Sequence, residues 1–153
     1  MKTLARERDK AEVLARLGAV RPDSARRWGR MSAHEMVCHL SDCFLMGLGE
    51  KAVSRAAGFP RGAVVKWIAL YTPVPWPAGK IRTSPEIDQE RGGTRPDEFA
   101  ADVVRLRELV ELFTARAPTI ASPSHPMFGR MSAAAWLRWG YLHMDHHLRQ
   151  FGA

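Results

Sequence analysis

One segment of the chain has the apolar spacing of a bundle helix. Its apolar residues recur at alternating steps of four and three, at Phe99, Val103, Leu106, Val110 and Phe113. This spacing keeps to one face of an α-helix, because about 3.6 residues make one turn. We predict that Pro96 lies in the first turn, with acidic residues beside it, and that Pro118 ends the helix. A helix with one apolar face needs other elements to cover it, so the segment predicts a helical bundle.

Three further segments have helical periodicity. The first predicted helix covers residues 3–17. The second begins at Ser32, where Glu35 completes a Ser-x-x-Glu capping box, and continues towards Ala57. The last covers residues 132–150 and has a serine as its N-cap. The sequence therefore predicts an all-α fold, a four-helix bundle of up-down-up-down order, formed by residues 1–153 as a single domain.

The segment between the second and third predicted helices is rich in proline. Residues 61–71 are compatible with a short helix, but the Pro-Val-Pro-Trp-Pro run that follows cannot lie inside one. Residues 72–95 then form a loop that is unusually long for a compact domain, which indicates either a functional or a disordered segment. Trp76 and Ile81 favour packing of this loop against the body of the protein. We therefore expect a long crossover between helices two and three.

The charge and hydropathy patterns argue against nucleic acid and membranes as partners. Lys and Arg number 23 against 16 acidic residues, for a net charge of +7, but the basic residues are scattered. No dense basic run with interleaved aromatic residues appears, so we expect a solvated basic surface and no nucleic-acid binding. No apolar run approaches the roughly 18 residues that a membrane span requires, and the charged first ten residues lack the apolar core of a secretory signal. We expect a cytoplasmic protein without membrane contact.

Histidines follow both copies of a repeated pentapeptide, Gly-Arg-Met-Ser-Ala, which occurs just before the second and the last predicted helices. His39 lies seven residues after its serine cap, and His143 lies eleven residues after the other. At about 100° per residue, both steps bring the histidine to within about 20° of the direction of its cap around the helix axis. His147 lies one turn beyond His143 on the same face. In up-down-up-down order these two helices would be parallel and would start at the same end. We therefore expect the three imidazoles to meet in the core.

Three neutral imidazoles at this spacing are typical of a metal site with an open coordination position, as in metal-dependent catalysis. Zinc, nickel or iron would each suit imidazole ligands. The alternative is that the histidines are ordinary polar residues satisfied in the core. The other three histidines are interpreted as a surface residue (His34), a loop residue (His125) and a supporting or surface residue (His146). The two cysteines, five residues apart, are interpreted as small buried apolar residues.

Two motifs give the chain a family resemblance. "WGRMSAHEMVCHLSD" and, far downstream, "HPMFGRMSAAAWLRWGYLHMDHHLRQFG" resemble the DinB-like, or YfiT-like, superfamily of metalloenzymes, and within it a subfamily known only as a domain of unknown function. The resemblance covers essentially the whole chain. It implies a four-helix bundle, often a homodimer, with a divalent metal ion held at positions that match His39, His143 and His147. Relatives include transferases and isomerases that use bacillithiol or mycothiol.

The expected function is that of a metal-dependent hydrolase or thiol-dependent transferase acting on a small-molecule substrate, with a low-molecular-weight thiol as a possible cosubstrate. The alternative is a non-catalytic metal-binding or stress-related helical protein. Candidate catalytic residues are Asp42, to orient His39 or a water, Glu50, as a base, and Arg149, for an anionic substrate group. For Asp42, an ordinary aspartate on the helix surface is the favoured alternative. Three tryptophans are expected to line a pocket or to fill the core: Trp67, Trp76 and Trp136.

Overall fold

The computed structural model describes residues 1–55, 63–79, 83–119 and 124–153. Within these ranges the chain forms five α-helices and no extended strand, so the prediction of an all-α protein is confirmed. A single 3₁₀ turn, Pro85–Ile87, lies in the crossover. The helices are α1 (Glu7–Leu17), α2 (Ala33–Leu48), α3 (Ala63–Tyr71), α4 (Phe99–Arg116) and α5 (Ala133–Gln150).

The two helices that follow the repeated pentapeptide begin as predicted. The Ser32 hydroxyl accepts a hydrogen bond from Glu35 N at 3.2 Å, and the Glu35 carboxylate accepts one from Ser32 N at 2.7 Å. At α5 the Ser132 hydroxyl accepts a hydrogen bond from Ala135 N at 3.2 Å. These bonds satisfy N–H groups that have no partner inside the helix, so each serine defines its helix start.

Three predicted helix boundaries are wrong. The first helix begins at Glu7 and not at residue 3, because Arg6 has an extended backbone and is its N-cap. The second helix does not continue beyond Leu48, because Gly49 takes up a left-handed conformation with φ +79° and ends it. The predicted end at Ala57 lies outside the described residues. Pro96 precedes α4 instead of lying in its first turn, because the Glu98 side chain caps the helix by accepting from two backbone N–H groups, at 3.1 and 2.7 Å.

Side-chain contacts define the direction of each helix. His34 near the start of α2 bonds Asp102 near the start of α4, and Phe44 packs on Phe113 further along, so these two helices are parallel. In the same way, α1 is parallel to α5, because Leu4 N donates to Leu137 O near one end and an ion pair joins the two helices near the other.

The helix α2 is antiparallel to α5. Phe44, late in α2, packs against Trp139, early in α5, and the side chain of Gln150 at the end of α5 bonds Trp28 O, just before α2. The order of the four longer helices is therefore up-down-down-up, and the predicted up-down-up-down order is wrong. The physical reason is the crossover, which is long enough to return the chain to the end where α2 began.

The core lies between these four helices and is rich in aromatic residues. Gly140 allows close approach at its centre, since a Cβ there would lie 2.7 Å from Leu4 Cδ1 and 3.3 Å from Phe44 Cε1. The shorter α3 confirms the predicted short helix and packs on α5 through buried Leu70. Trp67 on α3 is 59% exposed and lines neither core nor pocket. None of the helices in the described ranges combines the length and apolar character needed to cross a bilayer.

Candidate metal centre

The three predicted histidines come together in the structure. The ring centroids of His39 and His143 are 5.3 Å apart, and each lies 4.9 Å from that of His147. They meet because the helices are antiparallel, not because they start at the same end. His39 lies seven residues after its cap, and His143 lies seven residues before the last residue of α5. Because the start of α2 lies beside the end of α5, the two histidines are at the same height in the bundle.

The ring of His39 is oriented by the crossover. Its Nδ1 lies 2.7 Å from Ile87 O, and since a carbonyl can only accept, Nδ1 carries the proton and donates it. In the neutral ring the lone pair is therefore on Nε2. Burial lowers the pKa of His39, while the bond to Ile87 O acts in the opposite direction. His39 is thus a neutral imidazole that presents one lone pair at a fixed position.

The ring of His147 is oriented by a chain of two hydrogen bonds. Gln150 Nε2 donates to Trp28 O at 2.8 Å, which fixes the orientation of its amide group. The amide oxygen then faces His147 Nδ1 at 2.8 Å and accepts its proton. The lone pair of His147 is consequently also on Nε2. A histidine whose second nitrogen donates to a carbonyl is the usual state of a metal ligand in proteins.

His143 completes the group. Its Nε2 lies 3.1 Å from His147 Nε2, and its Nδ1 is buried with no hydrogen-bond partner among the described residues. Burial and the neighbouring histidines lower the pKa of both rings well below the usual value, so both are neutral at physiological pH. No contact in the described part of the chain fixes the tautomer of His143. Its Nε2 can therefore face the lone pair of His147 Nε2 either as an N–H donor or, with its own lone pair, across a shared cation.

Cys43 is a further candidate ligand that the sequence analysis missed. Its Sγ lies 3.6 Å from His39 Nε2, and the ligand atoms of His39, Cys43 and His143 all lie within 4.8 Å of one another. His147 joins this group through its contact with His143. Burial raises the pKa of the Cys43 thiol, so without a cation it stays protonated and donates to His39. The i, i+4 spacing of His39 and Cys43 was the signal that could have identified it.

The histidine group lies at a cavity of about 960 Å³. Trp76 covers it from the crossover, with its ring 6.0 Å from His143 and 5.9 Å from His146, and its indole N–H donates to Ala69 O at 2.9 Å. Trp76 therefore lines a pocket, which is one of the two roles predicted for the tryptophans. Trp136 fills the core, which is the other predicted role. A cavity of this size accommodates a small organic molecule.

Asp42 does not face the histidines. Its carboxylate is completely buried and accepts hydrogen bonds from Lys51 Nζ at 2.6 Å, from Gln89 Nε2 at 2.9 Å, and from Thr94 through N and Oγ1 at 2.8 and 2.6 Å. It thus anchors the crossover to α2. Both predicted roles, a catalytic residue and a surface aspartate, are wrong, because the crossover covers this side of the helix.

The other two catalytic candidates lie away from the cavity. Glu50 is 45% exposed and pairs with Arg116 at 3.0 Å at the end of the α2–α4 pair. Arg149 is 44% exposed and pairs with Asp145 one turn earlier on α5. Neither belongs to the cavity wall, so the predicted roles of a base and of an anion-binding group do not fit the structure.

The remaining histidines are less exposed than expected. His125 is buried against Phe128, with ring centroids 4.7 Å apart, and burial lowers its pKa to about 3, so its interpretation as an ordinary loop residue is wrong. His34 is partly buried and bonds Asp102 at 2.7 Å, which contradicts a surface role. His146 lies beside His147 and lines the cavity, as expected for a supporting residue.

Comparison with known proteins adds a family but no activity. Residues 57–153 match the protein family described as "Protein of unknown function (DUF1569)". The matched segment contains His143 and His147, whereas His39 lies before it. No curated protein and no solved structure matches the chain.

Proposed function

The chain belongs to this family, and we propose that it is a metal-dependent enzyme of the DinB-like type whose divalent ion is held by His39, His143 and His147. One observation carries the proposal. The Nε2 lone pairs of His39 and His147 are directed by hydrogen bonds from their Nδ1 atoms to oxygen atoms that cannot donate. Buried imidazoles held in this tautomer next to a third one can bind a cation through Nε2 while keeping their hydrogen bonds at Nδ1.

The donor set fits a divalent ion of the transition series. Three neutral imidazoles suit zinc, nickel or iron, and the thiol of Cys43 is close enough to be a fourth ligand after losing its proton. His143 can turn either ring nitrogen towards an ion, because Nδ1 has no partner among the described residues. A bound ion would supply Lewis-acid chemistry, which serves both hydrolysis and thiol transfer.

The surrounding residues determine what else the site can do. Trp76 and His146 cover the histidines and restrict the access of water, while the apolar wall of the cavity suits a small organic substrate. Burial raises the pKa of both cysteines, so neither thiol is a ready nucleophile. We therefore propose that a transferred thiol comes from a low-molecular-weight cosubstrate, and that hydrolysis is the alternative reaction.

Elemental analysis of the purified protein tests the proposal. We expect the wild type to hold metal after extensive buffer exchange and His143→Ala to lose one equivalent. His146→Ala is the matched control, because this histidine lies on the same helix but is not a proposed ligand, and it should keep the metal. Equal metal content in all three proteins would contradict the proposal. Metal without turnover of any tested thiol or ester would favour the non-catalytic metal-binding protein.

We also propose that the protein is a homodimer formed through its crossover. In this region α3 and the segment after it expose Val64, Trp67, Ile68 and Val74 to solvent. Exposed apolar clusters of this kind often mark association surfaces. Sedimentation velocity at micromolar concentration should show a dimer, and a monomer alone would refute it.

A further inference from the structure

The sequence of α2 contains two successive pairs of metal-binding residue types. His34 and Cys38 are four residues apart, and so are His39 and Cys43. Residues four apart lie one turn apart on the same face of a helix, while the step of five between the pairs turns the second by about 140°. The two pairs therefore face different neighbouring helices. The pair at His39 faces α5 and belongs to the centre described above.

The first pair faces α4, where Asp102 meets it. His34 Nε2 lies 2.7 Å from Asp102 Oδ2, and Cys38 Sγ lies 3.5 Å from the same oxygen. The ligand atoms of these three residues all lie within 4.8 Å of one another. The backbone N of Asp97 also donates to this oxygen, at 3.3 Å. One nitrogen, one sulfur and one oxygen thus converge between the first two turns of α2 and the first turn of α4.

We propose that His34, Cys38 and Asp102 form a second divalent-cation site, of the zinc type, between α2 and α4. Zinc binds this donor set in tetrahedral geometry, with bonds of about 2.0–2.3 Å that place neighbouring ligand atoms roughly 3.3–3.7 Å apart. The contact between Cys38 and Asp102 already has this length, and the contact between His34 and Asp102 needs to open by less than about 1 Å.

The burial of the three residues suits a site that keeps one position open. Cys38 is buried, while the side chains of His34 and Asp102 are 18% and 14% exposed, so water can reach the fourth position. Burial and the nearby Asp102 raise the pKa of Cys38 to about 12. Binding a cation therefore releases the thiol proton to solvent and leaves a thiolate ligand. The ion would tie the first turns of α2 and α4 together.

Cobalt binding to a variant without the first centre tests this site. In His143→Ala/Cys43→Ser, we expect one equivalent of Co²⁺ with a near-ultraviolet thiolate-to-cobalt charge-transfer band. Adding Cys38→Ser should abolish the band, and adding Asp102→Asn should weaken binding. A folded double variant that binds no cobalt, or whose band persists without Cys38, would overturn the proposal. Because the first centre is absent, this result is independent of the proposed function.

A second measurement covers the case in which the double variant does not fold. Zinc titration of the wild type and of Cys38→Ser by calorimetry should show one equivalent fewer in the variant. His34→Ala should show the same loss, whereas the variant His146→Ala should not. Equal stoichiometry in the wild type and Cys38→Ser would mean that the three residues form only a hydrogen-bonded contact between helices.

Discussion

Gln150 offers the sharpest test of how the imidazoles are oriented. Its amide group is buried, donates to Trp28 O and accepts from His147 Nδ1. The change Gln150→Leu removes both hydrogen bonds while keeping a side chain of similar size. Two groups lose their partner, His147 Nδ1 and Trp28 O, and each such group costs about 1–3 kcal/mol when it is buried. Because Trp28 is only partly buried, its oxygen contributes near the low end, and we expect the free energy of unfolding to fall by about 2–3 kcal/mol.

The same change acts on metal affinity through His147. Without an acceptor at Nδ1, the proton is no longer held there and the Nε2 lone pair is no longer directed at the centre. Removing such a supporting contact weakens metal binding about 10–100-fold, which corresponds to about 1.4–2.7 kcal/mol. Zinc affinity is measured by competition with a chelating dye, and stability by urea unfolding in the presence of a chelator.

Gln89→Leu is the matched control, since Gln89 is the only other glutamine in the chain and is also buried. Its amide donates to Asp42 at 2.9 Å, and the amide oxygen has no hydrogen-bond partner within the described ranges. This variant should lose stability through the bond to Asp42 but keep its zinc affinity. Should Gln150→Leu fold and bind zinc as tightly as the wild type, the orientation of His147 by Gln150 would have no bearing on a metal.

Three further predictions concern other parts of the molecule. Asp42→Asn should lower the free energy of unfolding by about 3 kcal/mol, because it breaks a buried ion pair with Lys51, and should leave the metal content unchanged; loss of metal would contradict its role as an anchor. Gly140→Ala should destabilise the protein by about 1–2 kcal/mol in urea unfolding, since overpacking against two core side chains outweighs the gain in helix propensity; a more stable variant would show that the core can adjust. Burial lowers the pKa of His125 from 6.5 to about 3, so the unfolded chain binds its proton first and stability falls as the pH drops from about 6.5 to 3, by up to about 1.4 kcal/mol per pH unit. His125→Asn keeps an acceptor for the turn and should show a shallower decline in metal-free urea unfolding between pH 6 and 4, whereas equal slopes would mean that His125 is not a buried neutral imidazole.

Local patterns in the sequence predicted local structure well. Both serine caps were recognised, because capping depends on residues within one turn of the helix start. The spacing of His39, His143 and His147 correctly placed them on inward faces of two core helices, although the premise that these helices start at the same end was wrong. The direction of the helices did not follow, because periodicity is the same whether a helix runs up or down.

Contacts between distant segments account for the remaining errors. Asp42 looks like a surface residue in its own helix and is buried only because residues 89–94 of the crossover cover it. His125 stands alone in a proline-containing segment, and its burial depends on aromatic residues of α5 and on Phe128. No local pattern contains this information, since each contact joins parts of the chain whose proximity is a property of the whole fold.

The way in which His39 and His147 are oriented has a consequence for the order of folding. His39 is held by a carbonyl of the crossover and His147, through Gln150, by a carbonyl that precedes α2. Neither ring is oriented by its own helix alone, so helices that form early would present imidazoles in mixed tautomers. Tight metal capture by the proposed centre would therefore require that the crossover has docked and that the end of α5 has met the segment before α2. Metal uptake should lag behind the formation of helices during refolding and report the completion of the native structure.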